Sequence, residues 1–353
     1  MRVLLAPFET AGVAGAQRDG LRALGHRAEL WTIAENPFVA TQDRMVVGYA
    51  QRAAAAARAP LGFDVLHYHF GTTLLEFADA AWSRVARRPL VLMHYWGSDC
   101  RVRAGDGRLP GADAAWERQQ AARERVIRRR LRIAGRLCAA ALVSDLELAG
   151  FVQRHFRATY LVPTPLIAPR PGTPAGPLPD GPGAVVLHAP SHRLVKGTEA
   201  IVAAMDAAAE HVPLRPRVVS GVPRDVIHAE VARADIVVDQ LNSVTSGVFA
   251  LEAMALGKPV LLQYRRELLA PFARDTPLVP VTAGTLAGEL VALATDGARR
   301  AELGAAGRAF VSREHDATVV ARRLEAVYDH ARSRLRGLFE VTADGIRPLP
   351  SPA

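Results

Sequence analysis

The stretch ADIVVDQLNSVTSGVFALEAMALGKPVLLQY, residues 234–264, decides the reading of the fold. Its first apolar run, Ile236 to Val238, is short, β-branched and bounded by Asp235 and Asp239, as expected of a buried parallel strand. A polar loop follows. Ser246 is placed to N-cap a helix from Gly247 to Leu256, with Gly257 just past its end and Pro259 barring continuation. A second buried strand starts at Pro259. The product is a strand, a loop ending in open backbone N–H groups at a helix N-terminus, and a carboxylate, Glu252, inside that helix. Such an N-terminus is suited to an anion.

The rest of the chain repeats this alternation. At 353 residues it exceeds a typical single core and suits two domains, and half of it is hydrophobic. The net charge of +9 favours anionic partners: a phosphorylated ligand, a membrane surface or nucleic acid. Arginine is spread along the chain without a helix-turn-helix, zinc-finger or aromatic stacking signature, so nucleic acid is not expected. Cys100 and Cys138 form no metal-type cluster and suggest no disulfide. The N-terminal apolar run reads as a first strand, Val3 to Ala6, being too short for a signal-peptide core. No apolar run approaches the ~18 residues that span a bilayer. A soluble cytoplasmic protein is expected, with peripheral membrane contact left open.

In the first half, the loop at Gly12 and Gly15 enters a helix. It reads either as a backbone approach to phosphate or sugar or as an ordinary strand-to-helix turn, for the dinucleotide fingerprint is incomplete. FDVLHYHFG (63–71) is a strand on which His67 and His69 share a face, a spacing that could bind metal but has no further ligand beside it. PLVLMHYWGSD (89–99) is another. Ligands of open parallel sheets bind beyond the carboxyl ends of the strands, where His69 and His94 lie. A helical run at 116–136 carries eight arginines, either as a solvated surface or as a basic face.

Proline and glycine dominate residues 163–183, which marks a domain boundary. Beyond it, AVVLHAPSHRLVKGT (184–198) is a strand whose loop delivers Arg193 and Lys196 to a helix start. A bidentate guanidinium and a point-charge ammonium suit a diphosphate; a surface loop with two incidental charges is the alternative. A strand from Arg217 ends at Gly221 and Val222, where a planar base could approach the backbone.

At these positions the chain resembles the family-4 type of GT-B glycosyltransferases. The resembling pieces are DVLHYHFG (64–71), HYWGSDCR (94–101), APSHRLVKGT (189–198), ADIVVDQL (234–241) and FALEAMALGKPV (249–260). The resemblance implies two Rossmann-like doubly wound domains facing across a cleft. It implies an N-terminal acceptor domain, 1–165, a linker, 166–183, and a donor domain, 184–335, whose last helix either crosses back or packs on its own domain; 336–353 is a tail, expected to be loosely ordered from Thr342. Glu252 would bind the donor ribose, Arg193 and Lys196 the diphosphate, and the backbone of Gly247, Val248 and Phe249 its terminal phosphate. His94 would approach the transferred sugar, with Gly12 and Gly15 on the phosphate and acceptor side.

One departure falls in the opening stretch. Many members of that family carry Glu-Gly-Phe-Gly where this chain has VTSG (244–247), so a charged contact to the sugar is missing. Asp239, Asn242, Ser243, Thr245 or Ser246 would supply replacement hydrogen bonds, with His69 and Asp99 as further sugar or acceptor contacts. The expected activity is retaining, metal-independent transfer of a sugar from a nucleotide diphosphate to an acceptor hydroxyl on a cell-surface glycan or natural product. No cofactor is expected, and a UDP-sugar is preferred over a GDP-sugar as co-substrate. The rivals are a related coupling or phosphorolytic enzyme and a non-catalytic nucleotide-sugar-binding protein. The acceptor would be read by loops at 37–49 and 103–116, which carry no signature.

Overall fold

The structure is a computed structural model and describes residues 1–36, 42–86, 88–102, 111–174 and 176–350. Much of the two loops expected to read the acceptor lies outside these residues. The first half supplies strands β1 (Arg2–Ala6), β2 (Arg27–Thr32), β3 (Arg44–Met45), β4 (Val65–His69), β5 (Leu90–His94), β6 (Ala140–Val143) and β7 (Ala158–Leu161). The second supplies β8 (Ala184–His188), β9 (Leu214–Val218), β10 (Ile236–Val238), β11 (Val260–Leu262) and β12 (Val279–Pro280), then β13 (Gly337–Thr342) and β14 (Gly345–Leu349). Among the described residues they form two sheets, ordered β14-β13-β7-β6-β5-β4-β1-β2-β3 and β12-β11-β10-β8-β9. Every pairing is parallel except β13 with β14.

Parallel sheets must be covered on both faces, and here each is. Helices Val13–Ala23 and Ala317–Arg332 close one face of the first sheet; Tyr49–Gly62, Ala114–Leu137 and Leu146–Val152 close the other. The second sheet lies between Thr198–Ala209 with Leu286–Thr295 and Arg224–Arg233 with Val248–Ala255 and Gly297–Glu314. These are two doubly wound α/β domains. No described helix is long and apolar enough to cross a membrane.

The last helix returns to the first domain. Val320, Leu324, Val327 and Tyr328 are fully buried in the cluster that holds Val3, Leu5 and Leu92. Gly20 lets the helices meet, for a Cβ there would overlap the Ala317 carbonyl oxygen. Two chain crossings join the domains and bind one another: Leu166 N donates to His315 O at 2.7 Å, and His315 Nδ1 lies 2.8 Å from Thr164 O.

Two expectations need correction. Residues 337–349 are not a tail, and those from Thr342 are not loose. They form the β13–β14 hairpin, with Leu338, Phe339 and Val341 buried. Pro348 misleads a reader of the sequence, but it sits in the outermost strand, where a missing N–H need not cost a ladder bond. Similarly, β9 runs from Leu214 to Val218 rather than from Arg217, since Pro216 is tolerated on that edge strand.

Candidate active site

Strand register assembles the first half of the site. His67 and His69 share a face of β4, and the pairing of β4 with β5 sets His69 directly beside His94. All three imidazoles are buried, and their nitrogens approach within 4.8 Å of one another. Burial holds them neutral, pushing His67 down to about 3 and His69 and His94 well below the ordinary histidine value. Their protons follow from their partners. Trp96 Nε1 can only donate, so His69 Nδ1, 3.1 Å away, accepts and Nε2 carries the hydrogen. Tyr328 OH lies 2.8 Å from His67 Nδ1, and His67 Nε2 and Gln17 Nε2 face His94 Nδ1 at 3.1 and 3.3 Å. His94 Nδ1 accepts, leaving Nε2–H.

His69 and His94 therefore each hold a buried Nε2–H without a partner. Two donors suit the oxygens of a sugar or phosphate. A metal needs lone pairs, and both nitrogens of His67 are already engaged. Trp96 stacks on His94 with ring centroids 3.9 Å apart, fixing its plane.

The second half centres on helix Val248–Ala255. Its N-cap is Gly247, with no side-chain cap bond, rather than the expected Ser246. An extended glycine there brings no oxygen to the first-turn N–H groups, which suits an external anion. A Cβ on Gly247 would lie 4.0 Å from Lys196 Nζ. The ammonium and the helix end are thus brought together. Lys196 is held by Asp239 Oδ1 at 2.5 Å and Gln240 Oε1 at 2.9 Å, while the other Asp239 oxygen is buried without a partner. Arg193 is turned outward. It lies in the short helix Arg193–Lys196, half-exposed and paired with exposed Glu199.

Glu252 is buried one turn into the same helix and accepts from Arg224 Nε at 2.5 Å, with His228 Nε2 at 3.3 Å. The same guanidinium lies against Gly12, where a Cβ would overlap it. Gly12 is left-handed at φ 76 and begins helix Val13–Ala23, so only glycine serves both the turn and the approach. Arg224 thus spans the cleft from Glu252 to the first domain. Gly15 is engaged too, its N–H donating to Glu9 Oε2 at 2.7 Å.

The remaining expected residues divide. Gly221 has open space beside it, whereas Val222, Val248 and Phe249 pack on the core of the second domain. Asn242 donates to Leu194 O at 2.9 Å. Thr245 is a domain contact, 3.4 Å from both Arg101 Nη2 and Glu147 Oε2. Ser246 lines a cavity of about 30 Å³ with Ser144 and Asp145 of the first domain. Asp99 shapes its own loop, accepting from the N–H groups of Trp96 and Gly97, and burial pushes its carboxyl up to about 6. Sequence reasoning missed Gln17, Trp96, Arg224, His228 and Tyr328. Only Arg224 had a local signal, as the first charge after the loop at Gly221.

With this geometry in place, the chain has the architecture of GT-B glycosyltransferases. It is similar to sucrose-phosphate synthase from Thermosynechococcus elongatus, with 17% identity, 94% of this chain and 98% of that one covered, and a TM-score of 0.63. Anabaena HepE, solved with UDP and glucose, gives 15% identity, coverage of 94% and 100%, and a TM-score of 0.64. WaaG, a glycosyltransferase involved in lipopolysaccharide biosynthesis, gives 13%, 93% and 99%, and 0.57. No protein-family model matches the sequence, and no curated protein matches it.

Proposed function

We propose that this protein is a glycosyltransferase that moves a sugar from a nucleotide diphosphate to an acceptor hydroxyl on a glycan or natural product. One observation carries the reading: Lys196 stands at the uncapped start of helix Val248–Ala255, with Glu252 on the same helix. As the bond from sugar C1 to the phosphate oxygen breaks, negative charge grows on the diphosphate. An ammonium and open N–H groups stabilise that charge more in the transition state than in the ground state. This electrostatic role requires no divalent ion.

The acceptor oxygen forms the new bond to C1, and the departing phosphate oxygen takes its proton, with retention at C1. Glu252 binds the ribose hydroxyls, while the Nε2–H groups of His94 and His69 donate to the sugar. Arg193 would join the diphosphate by exchanging Glu199 for phosphate. The HepE complex with UDP-glucose supports a uridine donor, and the proposed setting is the cytoplasm.

The test is release of UDP from UDP-sugars by the wild type and Lys196→Met. Losing a charge-assisted contact worth about 1.5–3 kcal/mol should slow release roughly ten- to a hundredfold. Because Asp239 loses its partner, the melting temperature is measured alongside, and Lys196→Met with Asp239→Asn serves as the second variant. Equal rates in the wild type and both variants would remove Lys196 from the reaction. Donor binding without release or transfer would mark a binding protein instead.

A further inference from the structure

A cavity of about 710 Å³ lies at the amino-terminal ends of β5, β6 and β7, the end of the first sheet opposite the candidate active site. Seven of its lining residues are arginine. Arg332, Arg334 and Arg336 come from the end of helix Ala317–Arg332 and the segment after it; Arg84 and Arg88 precede β5. Arg136 and Arg157 flank β6 and β7. Among the described residues no carboxylate lines the cavity, and none pairs with any of the seven. Their described bonds reach backbone carbonyls: Arg84 to Arg136 O, and Arg332 to Asp64 O at 3.3 Å. The Asp64 carboxylate is already engaged by Arg2.

Elsewhere Arg217 meets Glu230, Arg323 meets Glu314 and Arg101 meets Glu147, whereas here seven arginines without such partners gather around one hollow. Helix C-termini attract cations, which accounts for Arg84, Arg136, Arg332 and Arg334, at or just past the ends of helices Ala78–Trp82, Ala114–Leu137 and Ala317–Arg332, but not for Arg88, Arg157 and Arg336. Arg88 and Arg334 also adopt left-handed backbone, φ 52 and 55, where glycine would be unstrained. Arginine is present at both despite that cost. Like charges gathered around one concavity repel unless an anion lies between them.

We infer that this cavity is a second ligand site, for a soluble oligophosphate. Guanidinium groups pair bidentately with phosphate oxygens, and a single phosphate dianion would leave most of the seven uncompensated. A chain of three or more phosphates matches their number. The phosphates of a lipid surface share this chemistry, and the exposed Val85 and Leu335 would assist such docking. Neither lines the cavity, however, and the arginines surround a hollow rather than a flat face.

The experiment is calorimetric titration of the full chain with inorganic tripolyphosphate. The wild type should bind, Arg136→Gln with Arg334→Gly should bind at least about tenfold more weakly, and Lys196→Met should bind like the wild type. Because Arg334→Gly removes a strained φ, it should keep or raise the melting temperature while affinity falls. No binding by the wild type would overturn the inference, as would equal affinity in the arginine variant. Loss in Lys196→Met instead would place the anion in the cleft, a result that leaves the donor reading intact. Arginine-dependent sedimentation with phosphatidylserine vesicles, without tripolyphosphate binding, would reassign the surface to a membrane.

Discussion

Glu252 and Arg224 meet across 28 positions of chain, and their contact gives the donor reading its sharpest test. A buried carboxylate held on one oxygen by a guanidinium is pre-oriented, so a ribose diol would meet a fixed acceptor. Glu252→Ala should raise the Kd for UDP by at least about tenfold, the scale of a lost charge-assisted bond. Calorimetry giving the same affinity in both proteins would take Glu252 out of the donor site. The placement of Glu252 inside its helix and of Lys196 at the end of a strand-end loop was legible in the sequence, because each sits in a short strand-loop-helix segment whose geometry is local. The contacts of Arg224, Gln17 and Tyr328 were not, since they depend on which distant elements pack together.

At the scale of elements, helix Val13–Ala23 shows why glycine cannot be judged from propensity alone. Replacing a mid-helix glycine by alanine ordinarily gains up to about 1 kcal/mol. At Gly20 the new methyl would strike the Ala317 backbone oxygen, which cannot swing aside, and overpacking costs about 1–3 kcal/mol. Gly20→Ala should therefore lower stability in urea denaturation. Gly150→Ala, in helix Leu146–Val152 with open space around it, should raise it. A stable Gly20→Ala would mean that the two helices do not meet closely. The alternation of strands and helices was readable because the central strands, such as β1, β5, β6, β8, β10 and β11, are buried and nearly continuous apolar runs. The hairpin of β13 and β14 was not, because Glu340, Arg347 and Pro348 interrupt its apolar pattern and its pairing partner β7 lies far away in the chain.

At the scale of the whole molecule, His315 sits where the two domains are joined. Burial pushes it down to about 4 despite its bond to Thr164 O. An unfolded imidazole titrates near 6.5, so between those values the unfolded chain binds the extra proton. The stability His315 contributes is present above about pH 6.5 and is lost as pH falls toward 4. His315→Asn retains a donor for Thr164 and has no titration. The urea midpoint of the wild type should fall more steeply than that of the variant across this window. Asp99 and Asp145, both pushed up to about 6, act in the opposite direction but cancel in the comparison. Parallel midpoints would show that His315 is not kept neutral.

The return of residues 317–349 to the first domain also bears on the order in which the protein is made. Domains commonly fold as units in the sequence in which they leave the ribosome. Here the first domain emerges lacking β13, β14 and one of the two helices that cover one face of its sheet, so β7 remains an open edge until residues 337–342 have been made. Residues 184–314 contain every strand of the second sheet and the helices on both its faces. The domain translated second is therefore positioned to fold first, and the domain translated first must wait, with apolar surface uncovered, for residues 317–349 to arrive.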